Sequence, residues 1–372
     1  VAAALAEPMD FPPLAAAVVP GDTVAIALEE GLPQAPALVA GAVAASVKAG
    51  VEPRNVTILQ SAREAAAGLD VRSGLPPDLA AEINLVTHDP DDRDRLAYIA
   101  ASAAGEPVYV NRLLSDADVV LPIGCLRLDS SAGYHGIHTA IFPTYSDAAT
   151  QRRFFSSSNE DSPKHHKRRR DEAAEAAWLL GVLTSIQIVP GGSDAILHVL
   201  AGSVDTVTKR GRELCLRAWR FPIDRRADLV VAGIPGSAAA QTWDNVARAL
   251  ASAASAVTDG GAIALCTELA TAPGPALGWL AADDDYESAL RSVRKERSPD
   301  AAAASHLLRA LDRNRVFLLS LLADETVSDL GMTPIEQPAD VARLCRRSQS
   351  CIVLSNAQYA VPWLNEEVPT FQ

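Results

Sequence analysis

The chain has 372 residues, more than a single hydrophobic core usually organises, so two domains are expected. Its 48% apolar and 21% charged residues exclude a disordered chain, and 33 basic against 46 acidic side chains leave a net charge of −13, the wrong sign for a nucleic-acid binder. Every apolar run is broken before the roughly 18 residues a membrane span needs, and no charged-then-apolar leader opens the chain. The five cysteines (Cys125, Cys215, Cys266, Cys345, Cys351) are scattered without CxxC spacing. That usage suits a reducing cytoplasm and speaks against a disulfide scaffold or a cysteine-rich zinc site.

In chain order, short β-branched runs alternate with Ala-rich stretches of helical character. The turn Pro20-Gly21-Asp22 introduces a strand over Thr23–Leu28, a helix follows from about Ala35 to Ala49, and Val56–Leu59 reads as the next strand. Further strands are expected at Asn84–Thr87, Val108–Val110 and Ala117–Ile123. After a turn-rich boundary near Phe221–Arg226 the style repeats. Asp228–Ala232 reads as a strand, Ala238–Ala256 as a helix, and Ala262–Cys266, Val316–Leu319 and Ile352–Leu354 as strands. Such alternation predicts an α/β fold with mostly parallel sheets flanked by helices, divided into domains 1–224 and 225–372 with a cleft between them.

One segment departs from this pattern. Residues 156–170 read SSSNEDSPKHHKRRR, a polar stretch ending in a cluster of Lys, Arg and His. It reads as a solvated loop running into a helix whose first turn is Asp171-Glu172, with an anion site as the functional alternative; no aromatic platform accompanies the charges. Gly191-Gly192 and Gly233-Ile234-Pro235-Gly236 are not dinucleotide fingerprints, and neither a phosphate-binding P-loop nor a GxSxG elbow occurs. His198 lies in an apolar segment and reads as a core histidine, and Tyr134 and Trp243 as core aromatics.

Taken together, Ala6-Glu7-Pro8, Pro20–Ala27, Pro107–Arg112, Ala117–Val120, Ala132-Gly133-Tyr134, Phe142-Pro143, Ala227–Val231, Ala249-Leu250, Gly260-Gly261 and Val361-Pro362 resemble, in order and spacing, the lactate racemase family. The resemblance covers nearly the whole chain. It implies a nickel-pincer nucleotide held covalently by a lysine, a histidine on the metal, hydride transfer from a 2-hydroxy acid and two further histidines that exchange the hydroxyl proton.

Several of those positions differ here. The family's Asp-x-Thr-Arg-Pro corresponds to Glu29-Glu30-Gly31-Leu32-Pro33, which puts Leu32 where an arginine would hold the substrate carboxylate. The His-Arg pair becomes Ala62-Arg63, the second proton-transfer histidine falls on Asp129, the cofactor lysine on Thr139, and the nickel-ligand histidine on Phe155 or Phe154. Threonine has no amine to become the nitrogen of a thioamide, and phenylalanine offers nickel no lone pair. The covalent cofactor is therefore expected to be absent. A Gln-x-x-Lys of the second domain corresponds to Asn245-Val246-Ala247-Arg248, which keeps an amide and a cation able to clamp a carboxylate or phosphate.

The candidate site is accordingly Asp129, His135 and His138 as acid/base groups, with Asn245 and Arg248 as the substrate clamp. His135-Gly136-Ile137-His138 also places two imidazoles three residues apart, a spacing that on a helix could serve one metal with Asp129 or His88 as third ligand. The expected function is a diverged isomerase, or another enzyme, acting on a small anionic hydroxy acid or sugar acid. A non-catalytic ligand-binding or interaction protein is the alternative, and a 2-hydroxy-acid racemase or epimerase a second one.

Overall fold

The computed structural model describes residues 1–128, 136–155, 163–282, 286–295 and 298–365. The first sheet contains β1 (Val24–Leu28), β2 (Val56–Gln60), β3 (Asn84–Thr87), and, beyond a separate antiparallel pair β4 (Leu96–Ala101) and β5 (Pro107–Asn111), β6 (Val119–Cys125), β7 (Thr184–Pro190) and β8 (Ile196–Ser203). Its order is β3-β2-β1-β6-β7-β8, parallel throughout except for β7 against β8. A short strand β9 (Arg220–Ile223) leads to the second sheet, made of β10 (Ala227–Gly233), β11 (Val257–Cys266), β12 (Arg315–Leu319), β13 (Thr333–Pro334) and β14 (Cys351–Ser355). That sheet is wholly parallel in the order β13-β12-β11-β10-β14. The chain then returns as β15 (Val361–Leu364), which pairs in parallel with β9. The Arg220 guanidinium stacks over Trp363 across that pair, 4.3 Å from the ring centroid.

The physical origin of the sheets is visible in β1. All five of its residues are buried, as expected for a central strand covered by helices on both faces. Each large apolar side chain such as Ile26 contributes on the order of 1.5–3 kcal/mol by leaving water. Gly21, at φ +101°, supplies the left-handed residue of the turn before β1, and the Asp22 carboxylate accepts the Val19 N–H at 2.8 Å.

The helix Ala35–Lys48 and strands β1, β2, β3, β5, β6, β10, β11, β12 and β14 lie within a few residues of the expected positions. Strands β4, β7, β8, β9, β13 and β15 were not legible. The expected helix at 238–256 is a short 3-10 turn over Ala238–Ala240 and a helix over Trp243–Ala256. Thr242 makes the break, since its side chain accepts the Asn245 N–H and caps the longer helix. The helix after the basic segment starts at Pro163, not near Asp171. Glu172 therefore lies mid-helix, buried, where it accepts two hydrogen bonds from Arg153 at 2.7 and 2.5 Å. His198 is not a core residue: it sits on the edge strand β8 and is exposed.

Candidate functional site

In a parallel sheet, ligands bind beyond the carboxyl ends of the strands, where the strand order changes direction. In the first sheet that point lies between β1 and β6, and the residues just past them are Glu29 and Leu126-Arg127. In the second sheet it lies between β10 and β14, and the turn after β14 carries Asn356, Gln358 and Tyr359. The two switch points meet.

Glu29 is buried, with its Oε2 accepting the Cys125 N–H at 2.7 Å and its Oε1 3.9 Å from the Arg127 Nε. Gly124 makes room for this arrangement. A Cβ there would fall 2.8 Å from Glu29 Oε2 and 2.7 Å from Gln187 Nε2, so only glycine lets both side chains cross the strand. Burial raises the Glu29 pKa above the ordinary carboxyl value, against the pull of Arg127, the Cys125 N–H and Arg248. Burial also pushes the neighbouring Cys125 thiol up to about 11 and the Tyr359 hydroxyl to about 12. Among the ionisable groups here, the two guanidinium groups carry the positive charge.

Arg127 and Gln358 have a feature in common. The Nε and Nη1 of Arg127 and both amide atoms of Gln358 are buried without a hydrogen-bond partner among the described residues. Both side chains line one small cavity between the sheets, together with Tyr359, Trp219, Cys215 and Leu126. The guanidinium lies over the Tyr359 ring at 5.9 Å, and Trp219 packs on Tyr359 with ring centroids 5.3 Å apart. Orphaned buried polar atoms are uncommon in folded proteins, and their clustering from both sheets marks the place where a polar ligand would be accepted.

Arg248 comes from the helix Trp243–Ala256 and is buried, as is Asn245 one turn earlier. The Asn245 Oδ1 accepts from Arg248 Nη1 at 2.8 Å, while its Nδ2 donates to the Ala240 carbonyl at 2.8 Å. Asn245 thus aims the guanidinium, whose charge acts on Glu29, Cys125 and Tyr359. At the rim, Arg63 bridges Glu30 at 3.3 Å and Asp244 at 2.8 Å, tying the first sheet's helix Ala62–Ala66 to the second half. Asp194 bonds Ser237, and the Ser193 N–H donates to Asn356 Oδ1 at 2.6 Å, on another side of the same junction.

Of the other expected site residues, Asp129 and His135 lie outside the described residues. His138 is buried, its carbonyl accepting the N–H groups of Ile141 and Phe142. Desolvation lowers its pKa to about 4, only partly opposed by Asp205, so its imidazole is neutral at pH 7. His88 does not face the junction: its Nε2 bonds the Ser146 carbonyl at 2.8 Å and its Nδ1 bonds Asn111 Nδ2 at 3.0 Å. Among the described residues no three His, Cys, Asp or Glu side chains converge as a metal site. Trp243 belongs to the core of the second half and donates its indole N–H to the Thr271 carbonyl at 3.0 Å.

At the positions that the resemblance would give to the cofactor and to the substrate carboxylate, the side chains are engaged in the fold. The Thr139 hydroxyl accepts the Gly136 N–H and donates to the Gly136 carbonyl, both at 2.7 Å, and so closes its own turn. Phe154 packs edge-on to Phe142 in the core, with ring centroids 5.3 Å apart, and Leu32 lies in the core around β1. None of the three supplies an amine, a metal lone pair or a cation. The donor set at these positions does not fit a covalently held nickel nucleotide.

A larger cavity of about 190 Å³ lies at the opposite end of the first sheet, lined by Leu5, Phe11, Leu14, Leu121 and Val182 among others. Its polar groups are already bonded, Asp118 to Thr23 and the Thr184 hydroxyl to the Gly202 carbonyl. The charged group among these lining residues is the acid Asp118, so this cavity is the less suitable place for an anionic ligand.

The architecture defines an α/β protein in which two parallel-sheet units face each other across a buried arginine–carboxylate cluster. Residues 1–163 match the family described as lactate racemase N-terminal domain. The structure of the lactate racemase apoprotein from Thermoanaerobacterium thermosaccharolyticum is similar over 97% of this chain and 91% of that one, with a TM-score of 0.76 and 20% identity. A crystal structure of a protein from Thermotoga maritima is similar over 94% of both chains, with a TM-score of 0.68 and 13% identity. The sequence matches none of the curated proteins. Residues 1–163 are thus similar to a lactate racemase N-terminal domain, and the chain shares the fold of the lactate racemase apoprotein over nearly its whole length.

Sequence reasoning singled out Asn245 and Arg248 as candidates, whereas Arg127, Gln358 and Tyr359 are candidates that the structure adds. Glu29 was visible only as a family position. Its place directly after a wholly apolar strand, where a charge must either turn to solvent or serve a site, was the available signal. Arg127 had no comparable mark.

Proposed function

We propose that this protein binds a small carboxylate- or phosphate-bearing molecule, such as a hydroxy acid or sugar acid, where its two sheets meet. Arg127 and Arg248 take the anionic group, Gln358 and Tyr359 hydrogen-bond a hydroxyl, and Glu29 exchanges a proton with it. The reading includes two domains, 1–224 and 225–372, and a diverged isomerase that works without a covalent nickel-pincer nucleotide. Its main support is the shared orphaning of Arg127 and Gln358, which come from opposite sheets into one cavity. A carboxylate offers Arg127 two acceptors in one plane, the arrangement a guanidinium fork matches. Burial shifts the Glu29 pKa upward, the direction that favours a carboxyl holding and passing a proton.

The small size of the cavity favours a second reading, a ligand-binding protein without catalysis whose halves adjust around the ligand. Thermal-shift screening of a library of 2-hydroxy acids, sugar acids and phosphates is the test. Wild type, Arg127→Met, Arg248→Ala and His138→Ala with His135→Ala are compared. Stabilisation of wild type, lost in both arginine variants, supports the site, whereas equal stabilisation of all four proteins places the ligand elsewhere. Epimerisation of a hit, followed by polarimetry or by proton exchange in deuterated water, separates enzyme from binding protein.

A further inference from the structure

Away from the junction, on the far edge of the second sheet, two thiols meet. Cys345 lies in the last turn of the helix Pro338–Arg347, and Cys351 is the first residue of edge strand β14. The Cys351 thiol donates to the Cys345 sulfur at 3.7 Å. The backbone on both sides of this contact is fixed. The N–H and hydroxyl of Ser348 both bond the Leu344 carbonyl, at 3.1 and 3.0 Å, ending the helix. Ser350 is bound to Asp228 through its hydroxyl and to the Leu229 N–H through its carbonyl, which docks the turn onto β10. Cys351 is exposed, and Cys345 is half-buried against the cluster of Leu229, Val231, Ala262 and Ala264. Closing a disulfide of about 2 Å from 3.7 Å needs side-chain rotation and a small adjustment, with the turn already in place.

We infer that Cys345 and Cys351 form a reversible disulfide, an oxidative modification site on the second sheet. The oxidant is a small soluble disulfide carrying carboxylates, attracted by the exposed Arg346 and Arg347 beside the pair. The exposed Cys351 thiolate attacks one sulfur of that disulfide; its S–S bond breaks, and the first small thiol leaves and takes up a proton. Cys345 then gives up its proton and attacks the Cys351 sulfur, expelling the second small thiol. The protein dithiol is oxidised, the small disulfide is reduced to two thiols, and the atoms balance. Burial and the adjacent Cys345 raise the Cys351 thiol to about 11, so the first step should be slow at neutral pH and accelerate about tenfold per pH unit between 7 and 9.

The pair has a structural consequence. β14 runs from Cys351 to Ser355 and leads directly into Asn356, Gln358 and Tyr359. Oxidation staples the start of that strand to the helix beside it, at the end remote from the junction.

Full-length protein is incubated with glutathione disulfide at pH 8.5, quenched by alkylation, and analysed by intact mass and non-reducing peptide mapping. The expected result is loss of two hydrogens, a fall from five titratable thiols in denaturant to three, and a single crosslink joining the peptides that carry Cys345 and Cys351. Dithiothreitol should reverse it. Cys345→Ser should instead accumulate a mixed disulfide on Cys351, because the resolving thiol is gone. Five thiols remaining in wild type, a wild-type product that stops at the mixed disulfide, or a crosslink to Cys266 would each overturn the assignment.

Discussion

The carboxylate of Glu29 accepts the backbone N–H of Cys125 at 2.7 Å, so a charge placed directly after β1 is held by the main chain that ends β6. This bond points the other carboxylate oxygen toward Arg127 and fixes the acid in the gap between two strands. It gives Glu29 two opposing influences, burial that favours its neutral form and two guanidinium groups that favour its charged one.

Glu29→Gln should separate those influences. Glutamine keeps an oxygen for the Cys125 N–H but no longer neutralises Arg127 and Arg248. We expect affinity for a small carboxylate to rise about tenfold, a difference of ~1.4 kcal/mol, while any proton exchange is lost. Isothermal titration calorimetry with a hit from the acid screen measures the first, and solvent deuterium incorporation the second. Weaker binding in Glu29→Gln would mean that Glu29 itself contacts the ligand as an acceptor.

Arg127→Met addresses stability and binding together. A buried guanidinium with unbonded N–H groups is costly, and a hydrophobic replacement of similar length is often neutral or stabilising. Urea unfolding should therefore place the variant within about 1 kcal/mol of wild type, or above it, although anion binding is lost. A destabilisation of ~3 kcal/mol or more would show that Arg127 serves the fold.

Asn245 acts through Arg248. Arg248→Ala should weaken anion binding about thirty-fold or more, the cost of ~2–5 kcal/mol typical of a buried charge-assisted contact. Asn245→Ala keeps the guanidinium but removes its 2.8 Å partner and should cost about three- to ten-fold. In the double variant the asparagine effect should vanish. Full additivity in the double-mutant cycle would contradict a positioning role.

The pH dependence of stability should carry the mark of His138. Its folded pKa of about 4 lies below the unfolded value near 6.5, so the unfolded chain binds the proton first as pH falls. Stability is complete above about pH 6.5 and declines from there toward pH 4, by an amount on the order of 2–3 kcal/mol from this group. His138→Gln should flatten that part of the curve. Glu29 works in the opposite direction, since a carboxyl with a raised folded pKa loses stability as pH rises through that value. An unchanged slope between pH 6.5 and 4 in His138→Gln would show that the histidine is solvated.

Legibility followed the strength of local patterning. The runs of β1, β6, β10 and β11 are apolar enough to announce buried parallel strands, and they carried the α/β reading. Strand β7 was lost because Ser185 and Gln187 break its apolar pattern, yet both are buried. The Gln187 amide donates to Ser185 Oγ at 2.8 Å and to the Ile137 carbonyl at 3.1 Å, a partnership between distant segments that no local pattern encodes. Short strands such as β9, with its proline, depend on a partner more than a hundred residues away. The site shows the same division. Asn245 and Arg248 could be counted from the glycines within β11, whereas Arg127 and Gln358 gain their meaning only when the two strand ends are brought face to face.

The parallel pairing of β9 with β15 also governs how the two sheets can part. The chain crosses from the first sheet to the second through β9 and comes back alongside it through β15, and Asn365 extends the contact by bonding the Ile223 carbonyl and the Asp224 carboxylate. The junction is thus a two-stranded ribbon rather than a single linker. A nick at Arg225 or Arg226 would therefore cut the chain without freeing the two halves, since the hydrogen bonds between β9 and β15 would still hold one to the other.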